Sequence, residues 1–172
     1  MVGRYLGFTL TELLTVVALA GIILMIALPN FTFLSAESRA YASVSSSTRD
    51  LLFARNQAVN HLNTVVACPL ANGTQCTNQW HMGVDVFIDH NENDALDTGD
   101  TILKSASAFH ESDTVSFSQT SIRFGADGLT RNLSSSAIIY YCDESETVKK
   151  GVIISISGRS KVADNDVVKQ CS

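Results

Sequence analysis

The sequence lacks most of the features that mark an enzyme. Its four histidines, His61, His81, His90 and His110, are scattered along the chain. It contains no Gly-x-Ser-x-Gly segment, no phosphate-binding glycine loop and no paired-histidine motif. Internal repeats and low-complexity tracts are also missing. We therefore expect a protein that has no catalytic activity and needs no cofactor.

Basic residues are too few for a protein that coats nucleic acid. Twelve Lys and Arg against 17 Asp and Glu give a formal net charge of −5, whereas nucleic-acid-binding domains are usually basic. The local exception is the segment 148–172, which contains five basic residues and two acidic ones. Any contact with DNA must therefore be local.

Charge is almost absent from a long apolar run near the N-terminus. The run extends from Leu13 to Leu28, and with residues 8–12 it covers about 20 residues, enough for a helix to cross the ~30 Å hydrocarbon core of a bilayer. Glu12 is the only charged residue in it. A lone carboxylate there costs roughly 2 kcal/mol or more, so we expect it to have a functional partner. Arg4, the only charge before the run, favours a cytoplasmic N-terminus and export of the remainder.

The residues before this run differ from those of an ordinary secretion signal, because the candidate cleavage point Gly7-Phe8 precedes the apolar run instead of following it. Gly7, Phe8 and Glu12 together resemble the class III leader of type IV pilins and type II secretion pseudopilins; an ordinary single-span anchor is the alternative. The resemblance implies that a prepilin peptidase cleaves between Gly7 and Phe8 and methylates the new Phe8 amine. It also implies that Glu12 pairs with the Phe8 amine of a neighbouring subunit, which would supply the missing partner.

Helical periodicity resumes after the apolar run. Pro29 predicts an end or a kink of the first helical segment, because proline cannot donate to the helical ladder and crowds the preceding turn. Beyond it, residues that share one helical face recur at steps of three and four, with polar residues largely on the other side. They are Tyr41, Val44, Thr48, Leu51, Leu52, Arg55, Ala58, Val59 and Leu62. We predict an amphipathic helix that packs this face on a sheet.

Short β-rich runs separated by turn residues follow this helix. They predict seven strands, at 64–68, 83–88, 101–104, 114–117, 121–124, 137–141 and 152–156. Asp127-Gly128 predicts a tight turn between two of them. One long helix against an antiparallel sheet is an α+β arrangement, and it is also the pilin fold that the resemblance implies.

The predicted organisation has four parts. They are a leader over 1–7, a transmembrane helix over 8–30, its amphipathic continuation over 31–62 and an extracytoplasmic β-rich domain over 63–172. The expected location is the inner membrane, and after assembly a pilus or pseudopilus in the periplasm or outside the cell.

All four cysteines lie after residue 60, in the part that we expect to be exported to an oxidising compartment. Four cysteines can pair in three ways. Cys68 and Cys76 flank a short polar loop, while Cys142 and Cys171 bracket the C-terminal section, so we favour this local pairing. Zinc is the alternative, but the sequence has no Cys-x-x-Cys and no nearby histidine pair.

The Asp- and Asn-rich segment 89–100 has oxygen side chains at a spacing close to that of a calcium-binding loop. The side chains at loop positions 1, 3, 5, 9 and 12 are Asp89, Asn91, Asn93, Asp97 and Asp100. The segment departs from the EF-hand, because Asp94 stands where the sharp turn needs Gly and Asp100 replaces the bidentate Glu. A solvated polar hairpin loop is the alternative, since turn geometry favours Asn and Asp anyway.

Two segments narrow the resemblance to the GspH/FimT branch of pseudopilins and minor pilins. One is this Asp/Asn run ending in Asp97-Thr98-Gly99-Asp100 between two predicted strands. The other is Gly158-Arg159-Ser160-Lys161, which is similar to the Gly-Arg-x-Arg pattern near the C-terminus of FimT-like proteins. The resemblance implies a subunit that primes assembly and occupies the tip of a type IV pilus or a type II secretion pseudopilus. Its partners would be other minor and major pilins or pseudopilins.

A receptor for extracellular DNA in natural transformation is the alternative function. The candidate DNA-binding residues are Arg159, Lys161 and Lys169. Because Arg159 and Lys161 are two positions apart, both would point to the same face of an extended strand, and a Cys142–Cys171 bond would hold that segment in place. Lys161 replaces the second Arg of the FimT-like pattern, so it lacks the planar fork that grips phosphate.

Overall fold

A computed structural model describes residues 7–163, 167, 168 and 171, and the side chains at 26–32 and 71 lie outside this description. The chain forms two compact units, Met1–Glu37 (unit 1) and Ser38–Ser172 (unit 2). Helix α1 (Leu10–His61) contributes residues to both. It continues through Pro29, so the helix end predicted as one possibility at that residue is wrong.

In unit 1, α1 begins at Leu10, and Thr9 caps its first turn. The Thr9 hydroxyl accepts a hydrogen bond from the Glu12 backbone N–H at 3.3 Å, which satisfies one of the free donors of the first turn. The large apolar side chains from Phe8 to Met25 are 57–88% exposed. Among the helix residues whose side chains are described, which exclude 26–32, no stretch is long and apolar enough to cross a membrane.

Unit 2 begins with the second half of α1, which buries a narrow stripe. Its buried positions recur at steps of four and three: Ala40, Val44, Ser47, Leu51, Ala54 and Ala58. The predicted face is therefore wrong at two of its large members, since Tyr41 is 60% and Leu62 77% exposed, whereas Val44 and Leu51 of that face are buried. Alanines and a serine occupy four of the six positions of the stripe, and their small side chains allow the sheets to approach the helix closely. The periodicity of large apolar residues in the sequence does not reveal that small residues form much of the buried stripe.

Ten strands follow in the part of unit 2 that the structure describes. They are β1 (Val65–Cys68), β2 (Leu70–Ala71), β3 (Gln75–Cys76), β4 (Asp85–Ile88), β5 (Thr101–Lys104), β6 (Thr114–Ser116), β7 (Ile122–Phe124), β8 (Ala137–Cys142), β9 (Lys149–Ile154) and β10 (Ser160–Ala163). All pairs are antiparallel: one sheet has the order β5-β4-β1-β7, a second has the order β10-β9-β8-β6, and β2 pairs with β3 as a hairpin.

The seven predicted strands are present, the one at 101–104 with the predicted bounds and the other six with shifted ends, whereas β2, β3 and β10 were not predicted. The turn predicted at Asp127-Gly128 is also present, since the Gly128 N–H donates to the Gly125 carbonyl at 2.8 Å. Gly128 has φ +75°, a conformation that glycine adopts without steric cost. The chain then returns beside β7 and forms an isolated bridge from Thr130 to Phe124.

The core of unit 2 lies between the helix stripe and the sheets. Its largest fully buried side chains include Trp80, Phe87, Phe124 and Tyr141. Two disulfides close its edges: Cys68–Cys76 ties β1 to β3, and Cys142–Cys171 ties β8 to the C-terminal segment. This is the local pairing that the sequence favoured.

Candidate functional site

The N-terminal candidate residues lie at the start of unit 1, where the backbone is accessible. Gly7 and Phe8 precede the first residue of α1. Nothing lies within 4 Å of the position that a Cβ at Gly7 would occupy, and Phe8 is 88% exposed. A protein that acts on the Gly7–Phe8 peptide bond would therefore meet no obstruction from the described residues.

Glu12 lies in the first turn of α1 beside an open apolar hollow. The hollow has a volume of about 210 Å³ and is lined by Phe8, Glu12, Leu13 and Val16. The backbone groups of Glu12 are used within the helix, where its carbonyl accepts a 2.9 Å hydrogen bond from the Thr15 hydroxyl. Its carboxylate forms no hydrogen bond or ion pair with any residue that the structure describes. It is thus available to a partner outside this chain.

The C-terminal candidate residues line a groove on the second sheet, which we call the basic groove. Its volume is about 510 Å³, and it is lined by Ser136, Ile153, Ser155, Arg159, Ser160 and Lys161. Lys161 lies opposite Ile153 in the β9–β10 pairing, and the Arg159 carbonyl accepts a 2.9 Å hydrogen bond from the Ser155 N–H. The side chains of residues 159 and 161 therefore share one groove. Lys169, the third candidate, lies outside the described residues.

Both basic side chains in the groove are exposed. The Arg159 and Lys161 side chains form no ion pair with any residue of the described chain, although five other basic side chains and one histidine do. No residue that the structure describes in unit 2 therefore neutralises their two positive charges. An anionic ligand is the chemistry that such a groove favours.

The turn before Arg159 is fixed by a contact that sequence reasoning missed. The Arg55 Nε–H on α1 donates to the Gly128 carbonyl at 2.9 Å. A Cβ at Gly158 would lie 2.0 Å from the Gly128 carbonyl oxygen and 2.8 Å from Arg55 Nε. Only glycine fits between them, so the β9–β10 turn is packed directly on α1 and the 125–128 turn. In the sequence, Gly158-Arg159 was the only local indication of this turn. The two residues that pack against it, Arg55 and Gly128, lie far away in the chain.

Val168, a described residue near the C-terminus, packs beside Gly151 of β9. Val168 is only 1% exposed, and a Cβ at Gly151 would lie 3.0 Å from its Cγ2 atom. The Cys142–Cys171 disulfide fastens the chain three residues beyond Val168. The absence of a side chain at Gly151 thus leaves room for Val168.

The Asp- and Asn-rich loop between β4 and β5 uses its carboxylates to hold its own backbone. Asp89 is fully buried, and it accepts hydrogen bonds from the backbone N–H groups of Asn93 at 3.2 Å and Asp94 at 2.9 Å. Asp100 accepts hydrogen bonds from the N–H groups of His90 at 2.9 Å and of residue 97 at 3.1 Å. These carboxylates act as turn caps.

Asp97, an exposed carboxylate of the loop, also has hydrogen-bond partners within the loop. Asp97 accepts hydrogen bonds from the side-chain amides of Asn93 at 2.8 Å and Asn91 at 3.1 Å, and these bonds lower its pKa. Asp94 forms two hydrogen bonds with Arg123, at 2.6 and 2.7 Å, which attach the loop to β7 and raise the pKa of Arg123. In the described chain no group of three or more His, Cys, Asp or Glu side chains is placed to hold a metal ion. Calcium binding by this loop stays a prediction.

The family of the chain follows from a match across its larger unit. Residues 44–158 match the family model described as type II transport protein GspH. The chain belongs to the GspH family. A search of curated proteins found no significant match.

The fold of this GspH-family chain also resembles that of a solved minor pilin. The structure of the Pseudomonas aeruginosa (strain PAO1) type IV minor pilin FimU in space group P21 is 15% identical, covers 78% of this chain and 95% of that one, and has a TM-score of 0.62. The same protein in space group P65 is 15% identical, covers 76% and 98%, and has a TM-score of 0.54. At this identity the likeness shows the fold. The predicted α+β pilin fold and the predicted family are confirmed.

Family membership defines the general role of the protein. Members of the GspH family are structural subunits, and they assemble with other pilins or pseudopilins in the cell envelope. The prediction of a structural subunit is confirmed at this level.

Proposed function

We propose that this GspH-family protein primes the assembly of a type IV pilus or type II secretion pseudopilus and occupies its tip. The observation that carries the proposal is the unpartnered Glu12 carboxylate on a helix whose apolar side chains are exposed. Each such side chain contributes roughly 1.5–3 kcal/mol when it is fully buried. Unit 1 therefore gains stability from apolar surroundings outside the chain, first the inner membrane and then the helices of other subunits.

The partner of Glu12 in this proposal is created by processing. A prepilin peptidase cleaves between Gly7 and Phe8 and methylates the new Phe8 amine, which leaves a mature chain with 11 basic and 17 acidic residues. The Phe8 amine of a neighbouring subunit then pairs with Glu12. In apolar surroundings such a pair is favourable where either charge alone is costly, so joining the filament removes a penalty. Arg4 holds the N-terminus on the cytoplasmic side before cleavage.

The Glu12→Ala variant tests this proposal. We expect its amount in the inner-membrane fraction to stay unchanged, because the substitution removes the only charge from the apolar run. Its amount in sheared filaments should fall about tenfold or more, the effect of losing roughly 1.4 kcal/mol of pairing energy. Glu111→Ala, which removes an exposed carboxylate from unit 2, serves as the control and should incorporate normally. Normal incorporation of Glu12→Ala would show that the Glu12 pair is unnecessary.

The priming and tip roles need separate readouts. Deletion of the gene should reduce the number of filaments while the pool of the major subunit in the membrane stays constant. Antibody labelling of the complemented strain should mark filament ends. Label distributed evenly along the filaments would contradict the tip location.

DNA uptake in natural transformation is a second candidate function, which the basic groove favours. Phosphates carry no sequence information, so binding through Arg159 and Lys161 should be independent of sequence. It should also weaken steeply with salt, with a slope in log K against log [salt] of roughly −0.9 for each phosphate engaged.

A salt series of mobility-shift assays on the full chain tests the DNA function. Replacing Arg159 and Lys161 together by Ala should lower the affinity and reduce the slope by roughly 1.8, the contribution of two phosphates. Arg49→Ala removes an exposed positive charge of α1 and should leave the slope unchanged. If the double variant binds like the parent, the groove is not the site. If the parent does not bind at low salt, only the assembly function remains.

A further inference from the structure

A second cavity of unit 2 lies between α1 and the segment after β5, away from the residues of the basic groove. Its volume is about 270 Å³, and we call it the helix pocket. Ser43, Ser46 and Asp50 line it from the helix, and Lys104, Ser107 and Phe109 line it from the opposite side. None of these residues belongs to the N-terminal site or the basic groove.

The helix pocket stays open because the side chains that line it from α1 are mostly small and the segment opposite them is held in place. The segment 104–110 is held by hydrogen bonds from the Ala106 N–H to Asp85 at 2.8 Å and from the Phe109 N–H to the His81 carbonyl at 3.0 Å. It also touches Gly83, where a Cβ would lie 2.3 Å from the Ser107 carbonyl oxygen. The segment therefore cannot collapse onto the serines of α1, and the pocket is formed before any ligand arrives.

The polar groups of the pocket suit a ligand with hydroxyl groups. The Asp50 carboxylate and the Lys104 ammonium form an ion pair, with 16% and 39% of their side chains exposed. The hydroxyls of Ser46 and Ser107 form no hydrogen bond with any described residue. A serine hydroxyl both donates and accepts, a carboxylate accepts and an ammonium donates. The wall thus offers both kinds of partner that a row of ligand hydroxyls requires.

The pocket also discriminates against charged and apolar ligands. Asp50 repels an anion and Lys104 repels a cation, while the two together are neutral. An apolar ligand would strip water from these charges without replacing it. Phe109 and Val84 nevertheless give the pocket an apolar surface. A neutral ring that carries hydroxyls at its edge and C–H groups on its face combines these properties.

We propose that the helix pocket binds a single neutral sugar unit. Its volume is somewhat below the range of about 300–1,000 Å³ for drug-sized ligands, which limits it to one ring. A dissociation constant on the order of 1 mM is expected, because a small polar ligand must give up its hydration to bind. The proposal is independent of tip location and of DNA binding.

Saturation-transfer NMR on the full chain tests the proposal. The protein is kept in lauryldimethylamine oxide, since detergents with sugar headgroups would compete for the site. The probes are the methyl α-pyranosides of glucose, galactose and mannose, and N-acetylglucosamine. At least one should give saturable binding, whereas cyclohexanol and inorganic phosphate should not compete with it. Competition by either compound, or no saturable binding of any probe up to about ten times the expected dissociation constant, would overturn the proposal.

Variants on both walls locate the binding. Ser46→Leu and Ser107→Leu each remove an available hydroxyl and fill the pocket, so each should weaken binding of the best probe tenfold or more. Ser105→Leu changes an exposed serine on the same segment outside the pocket and should bind like the parent. Circular dichroism and the thermal midpoint establish that each variant is folded. Undiminished binding in both folded pocket variants would overturn the assignment of the site.

Discussion

The two units of the chain treat their apolar side chains in opposite ways. In unit 1, Leu14 and Ile23 are 60% and 65% exposed, whereas in unit 2 Leu51, Phe87 and Ile122 are fully buried. Large apolar residues occur in both units, but the charged residues are concentrated in unit 2, since unit 1 has only Arg4, Glu12 and Glu37. Unit 2 buries much of its apolar surface in its own core, whereas the large apolar side chains of unit 1 that the structure describes are exposed. Unit 2 therefore draws stability from its own core.

Their carboxylates differ in the same way. Glu12 has no partner among the described residues, whereas Asp113 of unit 2 accepts two 2.9 Å hydrogen bonds from Arg39 and a third from the Tyr141 hydroxyl. Burial acts to raise the pKa of Asp113, but the bonds from Arg39 and Tyr141 outweigh it and lower the pKa. Burial and the bond to Asp113 raise the pKa of Tyr141 to about 12. The charge of Asp113 is thus neutralised within unit 2.

The largest expected effect concerns unit 1 and its access to another protein. Gly7→Arg should abolish processing, because the peptidase must accommodate a residue with no large side chain beside the scissile bond. Immunoblots of membranes should show only the full-length chain, of the same size as the parent in cells that lack the peptidase. Conversion of Gly7→Arg to the mature size would disprove the leader assignment.

A smaller effect is expected when the internal ion pair of unit 2 is broken. Asp113→Ala leaves Arg39 without its partner and should lower the free energy of unfolding by roughly 3–5 kcal/mol. Urea titration of the full chain, followed through the fluorescence of the single tryptophan, Trp80, measures this. Asp127→Ala removes an exposed carboxylate that pairs with Arg131 at 3.1 Å, and it should cost less than about 1 kcal/mol.

The same pair gives unit 2 a defined response to acid. The folded-state pKa of Asp113 is lowered, so its contribution to stability is present above the ordinary carboxyl range and is lost as the pH falls through the folded-state pKa. In Asp113→Asn, the free energy of unfolding should decline less steeply as the pH falls. A decline of equal steepness in the parent and the variant would assign it to other carboxylates.

The smallest expected effect distinguishes the two halves of α1 directly. Val44 is 2% exposed and Val16 is 58% exposed. Val44→Ala should lower the free energy of unfolding of unit 2 by roughly 1–3 kcal/mol, whereas Val16→Ala should change it by less than about 0.5 kcal/mol. Equal losses in the two variants would contradict the difference in burial between the two halves of α1.

The features that the sequence predicted well are those that local patterns determine. The seven predicted strands combine β-branched residues with flanking turn residues, and each appears in unit 2. Strand β10 was missed because Ser160-Lys161-Val162-Ala163 contains a single β-branched residue. It becomes a strand because the turn at Gly158 returns it to β9.

The candidate sites divide along the same line. A short linear pattern around Glu12 predicted an association site, which stays a prediction, whereas the spacing of Arg159 and Lys161 correctly indicated that both line one groove. The helix pocket could not be predicted, because it depends on which serines of α1 oppose a segment some 60 positions away. The stripe on α1 was misplaced for a related reason, since only packing reveals that Ala40 and Ala54 are buried.

The contact of Arg55 with two glycines ties the turn before Arg159 to backbone that lies far from it in the sequence. Gly158 has no room for a side chain while the Gly128 carbonyl and the Arg55 guanidinium occupy their positions, and that carbonyl is held by Arg55 itself. Shortening residue 55 alone would not free either turn, because Gly128 and Gly158 both have a positive φ, +75° and +73°, and a Cβ at Gly158 would still lie 2.0 Å from the Gly128 carbonyl oxygen. A side chain at Gly158 therefore requires the backbone of both turns to move.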